Sequence, residues 1–227
     1  MSCLYIIPTP IGNLKDITLR ALETLKQVDF ILAEDTRTTN KLLKHYEINT
    51  KTRPYHQHNE HSLTNKLIDE ILNSQNGLAL VSDAGTPGIS DPGYLLIREC
   101  VKNKIKIVSL PGPTALIPAL TQSGFPCDRF IFEGFLPHKK GRKKRLQILK
   151  EEKRTIVLYE SPHRILKLLK ELEEYLSEER LVAISRELTK VYEETIIGTP
   201  KEVAQKFANK KPKGEFVVVI EPPKVTK

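Results

Sequence analysis

Val81-Ser82-Asp83-Ala84-Gly85-Thr86-Pro87-Gly88-Ile89-Ser90-Asp91-Pro92-Gly93 is the stretch that decides the fold. An apolar run, Gly77 to Val81, leads into it and reads as a short buried strand, and Tyr94 to Val101 behind it reads as a helix. Glycine lets the backbone approach where a side chain would block it, and proline fixes φ and withholds a donor. A loop rich in both, placed after a strand, is shaped for a small ligand. In α/β sheets ligands bind outside the carboxyl ends of the strands. The loop matches neither the G-x-x-x-x-G-K-[ST] nor the G-x-G-x-x-G phosphate pattern.

Outward from this stretch, strands and helices alternate. Cys3 to Thr9 reads as a strand ended by prolines, and Thr18 as the cap of a helix with Leu19, Leu22, Leu25 and Val28 on its apolar face. Phe30 to Ala33 is a second strand that delivers Glu34-Asp35-Thr36-Arg37 at its end. Thr38 or Thr39 can cap the short helix after it, and Asn49 to Glu60 reads as a polar segment. Ser62 to Leu72 is helical, and Ile105 to Leu110 is a strand closed by Pro111-Gly112-Pro113. That alternation predicts a parallel sheet covered by helices. Thr121 to Asp128 breaks it, so the expected division is residues 1–121 and 122–227. The second half carries strand candidates at Phe130–Phe135, Thr155–Tyr159, Leu181–Ser185 and Phe216–Ile220, with helices after Pro162 and near Lys201–Phe207.

The chain has 227 residues, 39% of them hydrophobic, enough for one large or two small domains. No apolar run nears the roughly 20 residues that cross a bilayer, and the mean hydropathy is -0.33. Met1 to Ile7 lacks a basic start and reads as a strand, not a signal peptide. Cys3, Cys100 and Cys127 are odd in number and widely spaced, which fits reduced thiols and a cytoplasmic location. A formal charge of +8 points to an anionic partner, with nucleic acid the natural candidate.

Several short stretches recur at strand ends: Pro8-Thr9-Pro10-Ile11-Gly12-Asn13-Leu14, Ala33-Glu34-Asp35-Thr36-Arg37, the glycine-rich loop, Pro111-Gly112-Pro113-Thr114-Ala115, Tyr159-Glu160-Ser161-Pro162-His163-Arg164, Arg186-Glu187-Leu188-Thr189-Lys190 and Lys213-Gly214-Glu215-Phe216. Each alone is a weak signal. Together and in this order they resemble the tetrapyrrole-methylase-like superfamily. More closely, they resemble its bacterial branch that methylates a cytidine 2′-hydroxyl of 16S-type small-subunit ribosomal RNA. The resemblance implies an α/β protein of two α/β domains with S-adenosylmethionine in a cleft between them, no metal, and a homodimer. It places the donor on Asp83, Ala84, Gly85, Ile89 and Ser90, and on the turn of Pro111 with Thr114 and Ala115. In the second half it adds Glu160, Ser161, Leu188 and Gly214. Longer members of the branch carry an extension after the Lys-Gly-Glu strand, whereas this sequence ends soon after it. A tetrapyrrole methyltransferase, or an RNA-binding assembly protein with a relic donor site, are the other readings.

Methyl transfer to a ribose hydroxyl gains from near-attack geometry and from a proton acceptor. The candidates are Asp35 first, then Glu34 and Glu160, with an ion pair between Asp35 and Arg37 as the competing reading. The run from His138 to Arg145 has seven basic-type residues in eight positions and follows Phe132 and Phe135. Lys139, Lys140, Arg142, Lys143, Lys144 and Arg145, together with Arg37, are the expected RNA contacts, unless the run is a solvated helix start. His56, His58 and His61 fit no zinc spacing and read as a polar loop.

Overall fold

The computed structural model describes residues 2–176, 179–207 and 212–224. The chain divides into two compact units, 1–114 and 115–227. The first holds five parallel strands: β1 (Cys3–Ile6), β2 (Phe30–Ala33), β3 (Thr52–Pro54), β4 (Leu78–Val81) and β5 (Lys106–Ser109), in the order β3-β2-β4-β1-β5. Its helices are α1 (Leu19–Gln27), α2 (Thr36–His45), α3 (Glu60–Leu72) and α4 (Tyr94–Lys102). β4 shows why the sheet is central. Its four residues are all buried, Leu78 and Leu80 in a cluster with Leu67, Ile71 and Leu96, Ala79 and Val81 in another with Leu25, Leu42 and Leu43. A strand buried on both faces reads as a continuous apolar run, as this one does.

Thr18 caps α1 as expected, its hydroxyl accepting the Ala21 N–H at 3.1 Å. The buried face of α1 is Ala21 and Leu25, while Leu19 stands exposed. α2 begins earlier than Thr38 or Thr39 would set it, because Asp35 caps it, accepting the Arg37 N–H at 2.8 Å. β3 lies inside the stretch expected to be merely polar. It forms as the edge partner of β2, with the Tyr55 N–H donating to the Ala33 carbonyl at 2.8 Å.

The second unit begins with α5 (Leu116–Gln122) and continues with β6 (Phe130–Phe135), α6 (Arg142–Glu151), β7 (Thr155–Glu160), α7 (Ile165–Tyr175), β8 (Val182–Arg186), β9 (Glu194–Gly198), α8 (Pro200–Phe207) and β10 (Phe216–Ile220). The strand order is β6-β7-β10-β8-β9, with β6 and β7 parallel and the other pairs antiparallel. Ile156, Leu158, Ile184, Val218 and Ile220 pack with residues of α6, α7 and α8. α5 packs on β7, β8 and β10, so the boundary falls before this helix and not after residue 121. Gln122 ties it down further: its side-chain oxygen accepts the Thr195 hydroxyl at 2.8 Å.

Candidate active site

In the first unit the strand-end stretches meet. The Thr9 and Gly85 backbones exchange two hydrogen bonds of 2.9 Å, joining the ends of β1 and β4. The buried Thr9 hydroxyl donates to the Ser82 carbonyl at 2.9 Å. The Thr86 hydroxyl donates to the Pro113 carbonyl at 3.4 Å, bringing in the end of β5. From β2, the Asp35 N–H donates to Asp83 Oδ1 at 3.1 Å, and the Asp83 N–H donates to Glu34 Oε2 at 3.4 Å. The carboxyl end of the sheet is therefore one hydrogen-bonded surface.

Gly85 is buried and spent on its bridge to Thr9, whereas Asp83, Ala84, Ile89 and Ser90 are exposed. Ser90 holds a left-handed φ of 65°, uncommon for a residue with a side chain. Such strain gathers at ligand sites. Pro111 is exposed, and Thr114 and Ala115 are half-buried. These groups suit a nucleoside and an amino acid: open backbone donors and acceptors, and carboxylates for positive charge.

The three carboxylates differ. Arg37 grips Asp35 with hydrogen bonds of 3.1, 3.1 and 2.6 Å and holds its pKa down to about 2. A base that weak is a poor proton acceptor near neutrality. Asp35 thus caps α2 and pairs with Arg37, the arrangement of the competing reading. Glu34 is the opposite case: burial raises its pKa, and the neighbouring Asp83 and Asp35 charges add to the rise. Burial also raises Asp83. His56, at the end of β3, lies within electrostatic reach of Glu34, a neighbourhood invisible until β3 is known.

The second unit uses its charges differently. Glu160 is 1% exposed. It pairs with Arg164 at 2.8 Å and Arg142 at 3.7 Å and accepts the Ser161 N–H at 2.8 Å. Its carboxylate, a sequence candidate for catalysis and for the donor, is thus buried in an ion-pair cluster. Arg142, expected on RNA, is 3% exposed. It binds Glu171 at 2.7 Å and donates to the Pro137 carbonyl at 3.1 Å, so it anchors the start of α6. Arg145 pairs with Glu133 but stays partly exposed. Lys139, Lys140, Lys143, Lys144 and Arg37 are exposed, as phosphate contacts require.

Leu188 is buried between two residues of left-handed backbone, Glu187 and Thr189. Gly214 has a φ of 88°, and a Cβ there would strike the Glu187 carboxylate. That contact explains its glycine without a ligand. Among the described residues no group of three or more His, Cys, Asp or Glu is placed to hold a metal ion. Among them also no helix is long and apolar enough to cross a membrane.

Residues 3–204 match the family model described as Tetrapyrrole (Corrin/Porphyrin) Methylases. The chain is 51% identical over 221 residues to a Synechocystis sp. protein named ribosomal RNA small subunit methyltransferase I, covering 97% of this chain and 79% of that one. A Thermotoga maritima protein of the same name is 46% identical, with 97% and 98% covered. The structure of uroporphyrin-III-C-methyltransferase from Thermus thermophilus matches at a TM-score of 0.66 and 18% identity, over 96% of this chain and 94% of that one. At that identity the likeness is one of fold.

Proposed function

This chain belongs to the tetrapyrrole (corrin/porphyrin) methylase family, and on that premise we propose that it is an S-adenosylmethionine-dependent methyltransferase of small-subunit ribosomal RNA. The observation that carries the substrate is the 51% identity, over 97% of the chain, to a relative named for that activity. The finer reading is transfer to a cytidine 2′-hydroxyl of 16S-type RNA by a cytoplasmic homodimer. A tetrapyrrole substrate has the family's description and fold likenesses such as the 18%-identical one behind it, and no relative of comparable identity.

The donor residues we assign are Asp83, Ala84, Ile89 and Ser90, which are exposed, with Pro111, Thr114 and Ala115 beside them. Gly85 shapes this loop through its bridge to Thr9. The donor, when bound, supplies an electrophilic methyl group on a sulfonium. Glu34 accepts the proton of the ribose hydroxyl, since burial keeps its carboxylate more basic than usual. Lys139, Lys140, Lys143 and Lys144 neutralise RNA phosphates.

Incubation with methyl-labelled donor and small ribosomal subunits lacking the modification tests the proposal. Label in 2′-O-methylcytidine of the small-subunit RNA is the expected result. Label in a tetrapyrrole supplied alongside the subunits, or none despite measured donor uptake by folded protein, would overturn it.

A further inference from the structure

Among the described residues β6 is an edge strand, paired with β7 alone in the sheet order. Two of its three aromatic residues, Phe132 and Phe135, are three apart. In a regular strand they would face opposite sides. The register with β7 shifts between them: Phe132 lies opposite Val157, Gly134 opposite Leu158 and Phe135 opposite Tyr159. Glu133 is thus an extra residue, a bulge of the kind that re-aims side chains. It is held by Arg145. The consequence is that both phenyl rings meet one partner. Tyr159 takes Phe132 edge-on at 4.9 Å between ring centroids and Phe135 at 5.7 Å.

This aromatic group is not spent on the core. Ile156 and Leu158, the alternate residues of β7, supply the packed face, while Phe135 is 51% exposed. The Arg164 guanidinium lies 6.0 Å from the Phe135 ring centre. It is fixed there by Glu160 at 2.8 Å and by its bond to the Leu136 carbonyl at 3.1 Å. Lys139 and Lys140 follow within five residues of Phe135, and Lys143 and Lys144 lie in the first turn of α6, all exposed.

An exposed ring, braced by a second ring, flanked by a guanidinium and followed by lysines, is what an unpaired nucleotide needs. Bases stack on aromatic faces and guanidinium planes, and phosphates take the cations. We propose that Phe135, braced by Tyr159 and flanked by Arg164, is a stacking platform for one unpaired RNA base, with adjoining phosphates on Lys139, Lys140, Lys143 and Lys144. The inference rests on the RNA reading above and adds the residue that receives a base. Stacking tolerates any base, so the platform grips the strand without selecting the sequence.

The test uses the full chain, with Phe135→Leu and Phe135→Tyr, and short unstructured RNAs carrying a single 2-aminopurine at successive positions. The wild type quenches 2-aminopurine strongly at one position. Phe135→Leu loses that quenching and binds about tenfold more weakly, with the salt dependence of binding unchanged. Phe135→Tyr keeps both the quenching and the affinity. Phe135→Met, which keeps apolar bulk without a ring, behaves as Leu and serves should Leu disturb the strand. Affinity and quenching unchanged in Phe135→Leu would sink the platform alone. So would an altered oligomeric state in that variant, which would mark the ring as a contact between copies. Wild-type protein that binds no RNA would sink the RNA reading itself.

Discussion

The two units end their strands in similar-looking sequence and spend it in different ways. After β4 the loop from Asp83 to Gly93 bonds its backbone to its neighbours and leaves Asp83, Ala84, Ile89 and Ser90 open. After β7 the stretch Glu160-Ser161-Pro162-His163-Arg164 turns inward, and Glu160 is enclosed by Arg142 and Arg164. A carboxylate at a strand end can serve a ligand or hold up a loop, and its partners decide which. Backbone stitching leaves side chains free for chemistry, whereas ion pairing consumes them.

Glu34→Gln strikes the open end hardest. With the proton acceptor gone, turnover should fall by about 10²–10⁴-fold while donor affinity persists. The wild-type pH profile sharpens the point. Burial places the Glu34 pKa above the usual glutamate value of about 4.3, and the ionised form is the active one. The rate should therefore rise with pH through an inflection above that value, and Glu34→Gln should remove this limb. A limb that survives the substitution assigns the proton to another group.

The enclosed end should answer in stability instead. Glu160→Gln leaves the buried Arg142 and the half-buried Arg164 beside a neutral amide, and removing one partner of a buried pair costs ~3–5 kcal/mol. Urea unfolding should show that loss. Equal stability in the variant would mean the two guanidinium groups do not need the carboxylate.

The contrast also explains what could be read from sequence. The parallel sheet was legible because Phe30–Ala33 and Leu78–Val81 are short apolar runs bounded by turn residues. The strand-end motifs of the first unit were legible for a like reason, since glycine and proline punctuate them. β3 was not, because Thr52-Arg53-Pro54 has no apolar alternation and exists only through pairing with β2. The fate of Arg142 was hidden inside a charge run. Its partner Glu171 lies 29 residues on, and only the packing of α6 against α7 brings the two together. Nor does any residue type announce that Glu133 is an extra residue that turns Phe132 and Phe135 to one partner.

Gly214 tests the division at smaller scale. Placed on the donor by its motif, it sits against Glu187 with a φ of 88°. Gly214→Ala should cost ~1–3 kcal/mol, from left-handed backbone and from displacement of Glu187. Calorimetry on the folded variant should find donor affinity within about twofold of wild type, a window under ~0.5 kcal/mol. A loss of affinity with stability intact would return Gly214 to the ligand.

Asp35→Asn should have the smallest effect, and it isolates charge from geometry. Asparagine still caps a helix, so α2 keeps its start and only the pairing with Arg37 is lost. The Arg37 side chain is 87% exposed, and ion pairs in water are weak. Turnover should stay close to wild type. The sign of the pH effect follows from the depressed pKa. In the unfolded chain an aspartate titrates near 3.9, and in the folded protein Asp35 titrates at about 2. Its contribution is present above the unfolded value and is lost as pH falls towards the folded one. The gap between wild-type and Asp35→Asn urea midpoints should therefore be small and constant at neutral pH. It should close between about pH 4 and pH 2, where the aspartate becomes uncharged like the asparagine that replaces it. A collapse of turnover in this variant, with Glu34→Gln still active, would exchange the roles of the two carboxylates and make the capping residue the base.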